Sequence, residues 1–281
     1  MERKIEKFFL KWKTDVIRKP LLLFGLKQIG KTYTVLEFGR KHYQYVAYFN
    51  TSCNQALLDL FKKERSIDKL AVAFSAMIDV PVLKNETLLV FDNVDDEELM
   101  KGIKLFGFDR NDYHVIAITS RRENLTRFKG EELQYKIMTE MDFEEYLWAR
   151  GEKEIADNIR YAYQEGKRCA YHAKALDLFY DYLLTGGFPE VVLASLQYQE
   201  PFEMESAKEK VFDILKSFLN ECNPLIDIPR GLEVLNSIPK QLQKENKKFQ
   251  YGVLGYGKRA KEYESVIQYL VSNLLVNRSY K

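Results

Sequence analysis

Residues 21–32 read Leu-Leu-Leu-Phe-Gly-Leu-Lys-Gln-Ile-Gly-Lys-Thr. The opening apolar run ends at a glycine, a pattern typical of a strand buried on both faces. The remainder, from Gly25 to Thr32, fits G-x-x-x-x-G-K-[ST]. That pattern forms a loop between a strand and a helix and wraps phosphate groups with its backbone N–H groups. Residues 31–40 are predicted to form the helix, so the stretch predicts a P-loop.

Polar positions in this loop have expected roles. Lys31 would reach the β- and γ-phosphates of a nucleotide, where it would also assist catalysis, and the Thr32 hydroxyl would coordinate Mg²⁺. The helix N-terminus adds positive potential. ATP or ADP with Mg²⁺ is therefore the expected ligand. The predicted nucleotide-binding residues are Gly25, Leu26, Lys27, Gln28, Ile29, Gly30, Lys31, Thr32 and Tyr33.

Strands and helices alternate beyond the loop. Short apolar runs predict further strands over residues 45–49, 88–91, 115–118 and 135–138. Residues 66–78 are apolar at helical spacing behind a candidate Ser66 cap, and acidic residues 95–98 suit the start of another helix. This alternation predicts an α/β fold, a P-loop NTPase parallel sheet with helices on both faces.

The pattern becomes purely helical from Asp142 onward. Its clearest break is Gly-Gly-Phe-Pro at 186–189, and a basic, mixed segment begins near residue 228. We therefore expect a P-loop core over 1–140, a helical lid over 141–225 and a further segment over 226–281.

Composition and charge narrow the class of protein. The chain has 281 residues with a net charge of +2, and no run approaches the ~20 apolar residues of a membrane helix. The N-terminus lacks a signal-peptide pattern, so a cytoplasmic protein without membrane contact is expected. Cys53, Cys169 and Cys222 lack zinc-site spacing and are expected to be buried free thiols. Residues 240–281 carry nine Lys/Arg against three Asp/Glu. This excess suits a phosphate polymer such as DNA, although solvated lysines give similar counts.

An acidic residue at the end of another core strand usually accompanies a P-loop, because it holds Mg²⁺ through water. Asp92 follows the apolar run at 88–91 and is predicted to take this role. The alternative is that Asp92 and Asn93 only form a turn. The predicted metal-binding residues are Thr32 and Asp92.

The residue after that aspartate bears on hydrolysis. P-loop enzymes of the additional-strand class commonly place a glutamate there to activate the attacking water, but this chain has Asn93, which cannot act as a base at neutral pH. Asp95, Asp96 or Glu97 could substitute, or could be ordinary first-turn helix charges. Slow or absent ATP hydrolysis is expected, with Asn93 and Asp95 as the candidates beside the attacking water.

Polar and basic residues follow the strand predicted at 115–118. Thr119 and Ser120 stand where such ATPases place a residue that contacts the γ-phosphate. Arg121 and Arg122 could act as arginine fingers for the chain's own nucleotide or for that of a neighbouring subunit. The alternative is a solvated basic turn. A homo-oligomer or a partner protein is thus a candidate assembly.

The order of motifs resembles a widespread group of prokaryotic AAA-type ATPases of the AAA+ superfamily. The resemblance lies in RKPLLLFG (18–25), MTEMDFEEYL (138–147), GGFPE (186–190), IPKQL (238–242), NKKF (246–249) and AKEYE (260–264). It covers nearly the whole chain and implies an AAA-type core, a helical lid, a winged-helix-like segment and, further on, a nuclease-like domain of unknown function. It also implies that Gly187 and Pro189 lie near the nucleotide, in place of a sensor arginine.

This chain departs from the group in two respects. The group usually has Asp-Glu where this chain has Asp92-Asn93, which fits slow hydrolysis. The chain also ends at residue 281, about where the nuclease-like domain would begin. A truncated gene product or a designed fragment without nuclease activity is therefore expected.

The leading functional hypothesis is a Mg²⁺–ATP-binding module that hydrolyses slowly and uses the nucleotide as a conformational switch. The alternative is a nucleic-acid-binding regulator whose nucleotide is mainly structural, because basic and aromatic residues together can grip a backbone and stack bases. The residues behind this alternative are Lys247, Lys248, Lys258, Arg259, Lys261, Phe249, Tyr251 and Tyr256. A kinase would share the P-loop, but no acceptor-site signature accompanies it.

Overall fold

The computed structural model describes residues 1–52, 54–108, 112–128, 130–197, 201–222 and 227–279. They form two compact units, Met1–Lys208 and Glu209–Lys281. The boundary predicted at 140/141 falls inside the first unit and stays a prediction, and the boundary predicted at 225/226 lies outside the described residues. Cys169 is a free, half-buried thiol, whereas Cys53 and the Cys222 side chain are outside the described part. No described helix is long and apolar enough to cross a membrane.

The first unit is built on a parallel sheet of five strands in the order β2-β3-β4-β1-β5. The strands are β1 (Leu21–Phe24), β2 (Tyr45–Asn50), β3 (Thr87–Asp92), β4 (His114–Thr119) and β5 (Gln134–Ile137). Each predicted strand is present, with bounds that differ by at most one residue at either end. Because all strands run the same way, the loops after β1, β3 and β4 open at one edge of the sheet.

Helices surround and follow the sheet. They are α1 (Ile5–Lys13), α2 (Lys31–His42), α3 (Gln55–Lys63), α4 (Ile67–Ile78), α5 (Glu97–Leu105), α6 (Glu123–Arg127), α7 (Phe143–Ala149), α8 (Lys153–Glu165), α9 (His172–Thr185), α10 (Pro189–Gln197), α11 (Pro201–Cys222), α12 (Ile228–Leu242) and α13 (Ala260–Ser272). A short 3₁₀ turn, Tyr251–Val253, lies between α12 and α13.

Both faces of the sheet are covered. On one face, Phe49 and Phe91 pack with Phe74 of α4 and Phe61 of α3 in a buried aromatic cluster. On the other face, α2 approaches so closely that a Cβ on Gly39 would lie 2.7 Å from the side chain of Val46. Burial on both sides explains why the strands are continuous apolar runs. The predicted α/β fold is confirmed.

The sequence predicted how two helices, α5 and α4, begin, and the two predictions have different outcomes. α5 begins behind Asp96, whose carboxylate accepts the N–H groups of Glu98 and Leu99, as an acidic helix start predicts. Ser66 stands at the N-cap of α4, but its side chain makes no capping hydrogen bond. The predicted cap position is therefore right, but the capping hydrogen bond is not formed; the Ser66 N–H itself donates to the Glu64 carboxylate at 2.8 Å.

The described residues after β5 form helices, as the sequence predicts for the stretch that begins at Asp142. In the first unit, α7, α8 and α9 share a small core of Leu147, Ile155 and Leu178. In the second unit, α12 and α13 pack through Val234 and Tyr263. Residues 227–279 contain helices and no strand. The sequence predicted a mixed segment here, whereas its described residues are helical; its winged-helix identity stays a prediction, with no strand among these residues to form a wing.

Candidate nucleotide-binding site

The P-loop connects β1 to α2 at the carboxyl edge of the sheet. Gln28 and Gly30 have left-handed backbones, with φ of 68° and 83°. Left-handed residues in such a loop turn neighbouring N–H groups to one side and create a concavity that suits anions. Gly25 cannot carry a side chain, because a Cβ there would lie 2.3 Å from the carbonyl oxygen of Met138. The loop backbone is therefore shaped for phosphate contact.

The other predicted loop residues differ in exposure. Leu26 and Ile29 are buried, at 4% and 0% exposure, and anchor the loop to the core. Lys27 is half-buried, whereas Tyr33, the third residue of α2, is exposed.

Lys31 points back into the loop that precedes it. Its Nζ donates to the carbonyl oxygens of Gly25 at 2.8 Å and Leu26 at 2.6 Å, and to Ser120 Oγ at 2.9 Å. The side chain is buried, and burial lowers the pKa of the ammonium to about 8, although Asp92 works in the opposite direction. Lys31 is a cation held mainly by neutral oxygen atoms.

Thr32 and Asp92, the two predicted metal-binding residues, meet directly. The Thr32 hydroxyl donates to Asp92 Oδ2 at 2.7 Å, and the Tyr48 hydroxyl donates to the same oxygen at 3.1 Å. Burial, and then the neighbouring Asp92, raise the pKa of Tyr48 to about 12. Tyr48 was not predicted, although its place near the end of β2 beside β3 could have suggested it.

Asn93 begins the loop after β3 with a left-handed backbone, φ 61°, a conformation that asparagine tolerates better than most residues. Its carbonyl oxygen accepts from the Thr51 hydroxyl at 2.7 Å. Its exposed side-chain amide donates to Asn50 Oδ1 at 3.3 Å. Asn50 and Thr51 were not predicted, yet both follow from the register that pairs Asn50 with Asp92.

Asp95 belongs to a hydrogen-bonded network that ties β3 to β4. Its carboxylate accepts from Thr119 Oγ1 at 3.1 Å, Asn124 Nδ2 at 2.9 Å and Arg121 Nε at 2.9 Å. Asn124 is buried and also donates to the carbonyl oxygen of Val94 at 3.1 Å. Asn124 was not predicted, because it lies 29 residues beyond Asp95 in the sequence. The Asp95 carboxylate thus forms an ion pair with Arg121 and accepts hydrogen bonds from two neutral donors.

The polar and basic residues at the end of β4 have side chains that reach two different places. Ser120 reaches Lys31, whereas the Thr119 side chain is buried in the Asp95 network and turned to a different set of partners. The Arg122 guanidinium lies 5.9 Å from the Phe24 ring, at the start of the P-loop. The structure therefore brings Ser120 and Arg122 close to the loop, while Arg121 pairs with Asp95.

The segment from Met138 to Met141 joins the P-loop to the predicted Gly-x-Pro. Met138 N–H donates to the carbonyl of Phe24, and Met141 N–H donates to that of Gly187, both at 2.8 Å. A Cβ on Gly187 would lie 2.2 Å from the Met141 carbonyl oxygen, so only glycine fits. A Cβ on Gly30 would lie 3.5 Å from the Pro189 ring. Gly187 and Pro189 are therefore close to the P-loop.

Two further features border the loop. The guanidinium of Arg3, which is 5% exposed, donates to the Ile29 carbonyl at 2.8 Å. No sequence pattern pointed to Arg3, because its partners are distant in the chain. A cavity of about 400 Å³ opens beside Tyr33, and its lining includes Met1, Arg3, Leu10, Tyr33 and Trp148.

Family comparisons agree with this geometry. Residues 17–147 match the family described as an AAA domain. Residues 176–281 match a family described as a domain of unknown function, so neither match supports the nuclease-like domain that the resemblance implies. The sequence matches no curated protein significantly.

Solved structures resemble the chain at low sequence identity. A Walker-type ATPase of Pyrococcus abyssi is 12% identical with a TM-score of 0.53, over 96% of this chain and 89% of that one. A Signal Transduction ATPase with Numerous Domains from Pyrococcus horikoshii is 16% identical with a TM-score of 0.45, over 99% of this chain and 40% of that one. The ORC1 protein of Aeropyrum pernix, solved in complex with DNA, is 15% identical with a TM-score of 0.39, over 100% of this chain and 80% of that one. The first likeness supports the fold of a P-loop ATPase.

Proposed function

We propose that this AAA-type ATPase binds Mg²⁺–ATP in its P-loop, hydrolyses it slowly, and uses the bound nucleotide as a conformational switch. The observation that carries the proposal is the meeting of Lys31, Thr32 and Asp92 at one edge of the sheet, with Lys31 and Asp92 both buried. Buried charges are costly unless they are matched, and they concentrate at functional sites.

The partners of Lys31 favour phosphate binding. Its ammonium rests on two carbonyl oxygens and one hydroxyl. These neutral acceptors can be exchanged for phosphate oxygens, which form stronger, charge-assisted hydrogen bonds. Lys31 therefore gains interaction energy when a polyphosphate enters the loop.

The oxygen atoms of Thr32 and Asp92 fit Mg²⁺. This ion prefers hard oxygen ligands and is usually held by one or two protein side chains together with substrate phosphates. Among the described residues, no group of three or more His, Cys, Asp or Glu could hold a metal alone, so phosphates would complete the shell. When bound, Mg²⁺ would neutralise phosphate charge.

We assign the nucleotide base to the cavity beside Tyr33. Its volume of about 400 Å³ is typical of small-ligand pockets. Its walls combine the apolar Met1 and Leu10 and the aromatic Trp148 with charged side chains such as Glu6, Glu37 and Lys41, so both the ring faces and the polar edge of a base would find partners there. Tyr33 directly follows Thr32 in the sequence, so the cavity lies next to the P-loop, as the proposal of one ligand across both places requires.

Slow hydrolysis is supported by the chemistry of Asn93 and by the hydrogen-bond partners of Asp95, the two candidates that follow Asp92. The Asn93 amide can orient water but cannot take its proton. Asp95 has the right chemistry, but Arg121, Asn124 and Thr119 occupy its oxygen atoms. A positioned general base contributes about 10²–10⁴-fold in rate, and turnover should be reduced by a factor of this order.

The switch would act through the segment from Met138 to Met141. This segment touches the P-loop at Gly25 and the lid at Gly187. Nucleotide that repositions the loop would therefore displace the start of the lid, as phosphate contacts do in other nucleotide switches.

One experiment tests binding and hydrolysis together. Thermal melting with and without Mg²⁺–ATP should show an increase for wild type, because a ligand that binds only the folded state stabilises it. Lys31→Ala should lose most of that shift. In parallel, Asn93→Glu should raise turnover at least several-fold over a slow wild type. Equal thermal shifts in wild type and Lys31→Ala would refute the site, and brisk wild-type hydrolysis would refute the slow switch.

A second candidate function is nucleic-acid contact through the second unit. Residues 240–261 carry seven Lys/Arg against one Glu. Tyr256 is fully exposed between Gly255 and Gly257, which both have positive φ, and Arg259 and Lys261 are exposed beside it. An exposed ring next to cations can stack on a base while the cations hold the phosphate backbone.

Fewer aromatic side chains are available for base stacking than the sequence suggested. Phe249 and Tyr251 pack against the core around Tyr263 and are not available for stacking. DNA binding should therefore fall in Tyr256→Ala and in Lys261→Ala. Gel shifts across a salt series measure it, since phosphate contacts give a slope of about −0.9 per contact on a log–log plot. A DNA affinity that does not change with salt concentration, or that is the same in wild type and both variants, would refute this candidate function.

A further inference from the structure

Arg3 joins three separate parts of the first unit. Its Nε donates to Glu145 Oε2 at 3.1 Å, its Nη1 to the Ile29 carbonyl at 2.8 Å and its Nη2 to the Thr139 carbonyl at 2.6 Å. Arg3 and Glu145 are both buried, at 5% exposure each. A planar guanidinium can make such divergent contacts from one position, which a lysine ammonium cannot reproduce.

Glu145 is fixed from its other side. Its Oε1 accepts the Lys4 N–H at 2.6 Å, and it forms a reciprocal capping box with Asp142 at the start of α7. The carboxylate therefore belongs to the helix that opens the lid. The ion pair ties the N-terminal segment of the chain to that helix.

The contact with Ile29 acts on the P-loop backbone. Because a peptide unit is planar and trans, the carbonyl of Ile29 and the N–H of Gly30 point in opposite directions. Arg3 holds that carbonyl, so the Gly30 N–H is directed away from the guanidinium. Gln28 and Gly30, on either side of Ile29, both have left-handed backbones, and glycine and its neighbours could turn this peptide over without such a hold.

We propose that Arg3 is a positioning residue for the nucleotide phosphates: it fixes the Ile29–Gly30 peptide with its N–H turned toward the ligand, and it links that orientation to α7 through Thr139 and Glu145. The inference rests on the proposed nucleotide site and deepens it. A flipped peptide would present a carbonyl oxygen to the phosphates and repel them. Loop geometry and lid position are then coupled through one side chain.

The test compares Arg3→Lys with a matched control, Arg150→Lys, in the full chain. Arg150 also lies at α7 and bonds Tyr146 and Asp181, but these contacts are within the lid. Arg3→Lys should raise the Kd for Mg²⁺–ATP about tenfold or more, the effect of one lost charge-assisted hydrogen bond. Arg150→Lys should stay within about twofold of wild type.

A spectroscopic readout separates positioning from simple stability. Trp148 lies in α7 and lines the cavity, so its emission should change when wild type binds ATP. Trp12, the other tryptophan, is buried beside His114 and should supply a constant background. At saturating ATP, Arg3→Lys should lose most of this change, and Arg150→Lys should keep it.

The outcomes distinguish the two proposals. A wild type that does not bind Mg²⁺–ATP overturns both. A wild type that binds, with an unchanged Kd and unchanged Trp148 response in Arg3→Lys, overturns only the positioning role. If Arg3→Lys does not fold, Glu145→Gln decides, because it keeps the side-chain shape and removes the charge that holds Arg3. It should weaken ATP at least threefold and reduce the Trp148 response, and wild-type values for both would refute the inference.

Discussion

Raising the pH from 7 to 9 should weaken Mg²⁺–ATP binding by about tenfold, through Lys31 alone. Burial lowers the pKa of this ammonium to about 8. Phosphate oxygens beside it would favour the charged form and raise its pKa above that value. Below pH 8 Lys31 is mostly charged before ATP binds, so the affinity is near its maximum. The affinity falls as the pH rises above 8, and it levels off once the pH exceeds the pKa of Lys31 in the ATP complex.

The magnitude follows from the fraction of Lys31 that is charged before ATP binds. With a pKa of about 8, roughly nine-tenths is protonated at pH 7 and roughly one-tenth at pH 9, which gives a factor of about ten in Kd. An ordinary lysine, with a pKa near 10.4, would change the affinity by only a few per cent over this range. At pH 8, binding should take up about half a proton.

Isothermal titration at pH 7, 8 and 9, in buffers of different ionisation enthalpy, measures both Kd and proton uptake. Lys31→Arg is the control, because arginine stays charged throughout and its Kd should not follow this titration. A flat wild-type Kd between pH 7 and 9, or equal pH dependence in Lys31→Arg, would refute the reasoning.

Other parts of the chain give further tests. Because Arg121 is held by Asp95 of its own chain, mixing Arg121→Ala with Lys31→Ala should not restore ATP turnover, and restoration would identify a finger that acts between subunits. Burial lowers the pKa of His114 to about 3, below its unfolded value, so its contribution to stability is present above pH 6.5 and lost as the pH falls. Between pH 7.5 and 5.5 the free energy of unfolding should drop by about 1.4 kcal/mol from this residue, a drop absent in His114→Gln and retained in the exposed-site control His172→Gln. Gly187→Ala should destabilise the fold by about 1–3 kcal/mol and weaken ATP binding, and a chemical-denaturation curve like that of wild type would contradict the close approach.

The sequence predicted the sheet well because the signal is local. Apolar runs such as Leu88 to Phe91 identify buried strands, and the residues that end them, Asp92 and Ser120, must then share an edge of a parallel sheet. Tyr48 and Asn50 belong to the same edge and could have been found by the same reasoning. Neither residue belongs to a nucleotide-binding motif, so the sequence of β2 by itself indicates only a strand.

Residues whose partners are distant could not be predicted in this way. Arg3 is an unremarkable charge in a basic N-terminus until the fold brings Ile29 and Glu145 to it. Similarly, Phe249 and Tyr251 belong to a basic, aromatic stretch that suggests stacking, yet packing against the second unit's core uses both rings. In each case the tertiary contacts determine the role, and periodicity carries no information about them.

The hydrogen-bond partners of the charged groups at this edge bear on whether the proposed site is better suited to binding ATP or to cleaving it. Binding requires groups that can exchange a weak partner for a strong one, and Lys31, resting on neutral oxygen atoms, meets that requirement. Cleavage requires a base that can release its present partner and take a proton. Asp95 is poorly suited, because it would have to leave the Arg121 guanidinium and two neutral donors. Asn93 cannot serve either, and its left-handed backbone favours asparagine over the longer glutamate. These contacts support the proposed function, in which ATP is held and its presence reported rather than rapidly hydrolysed.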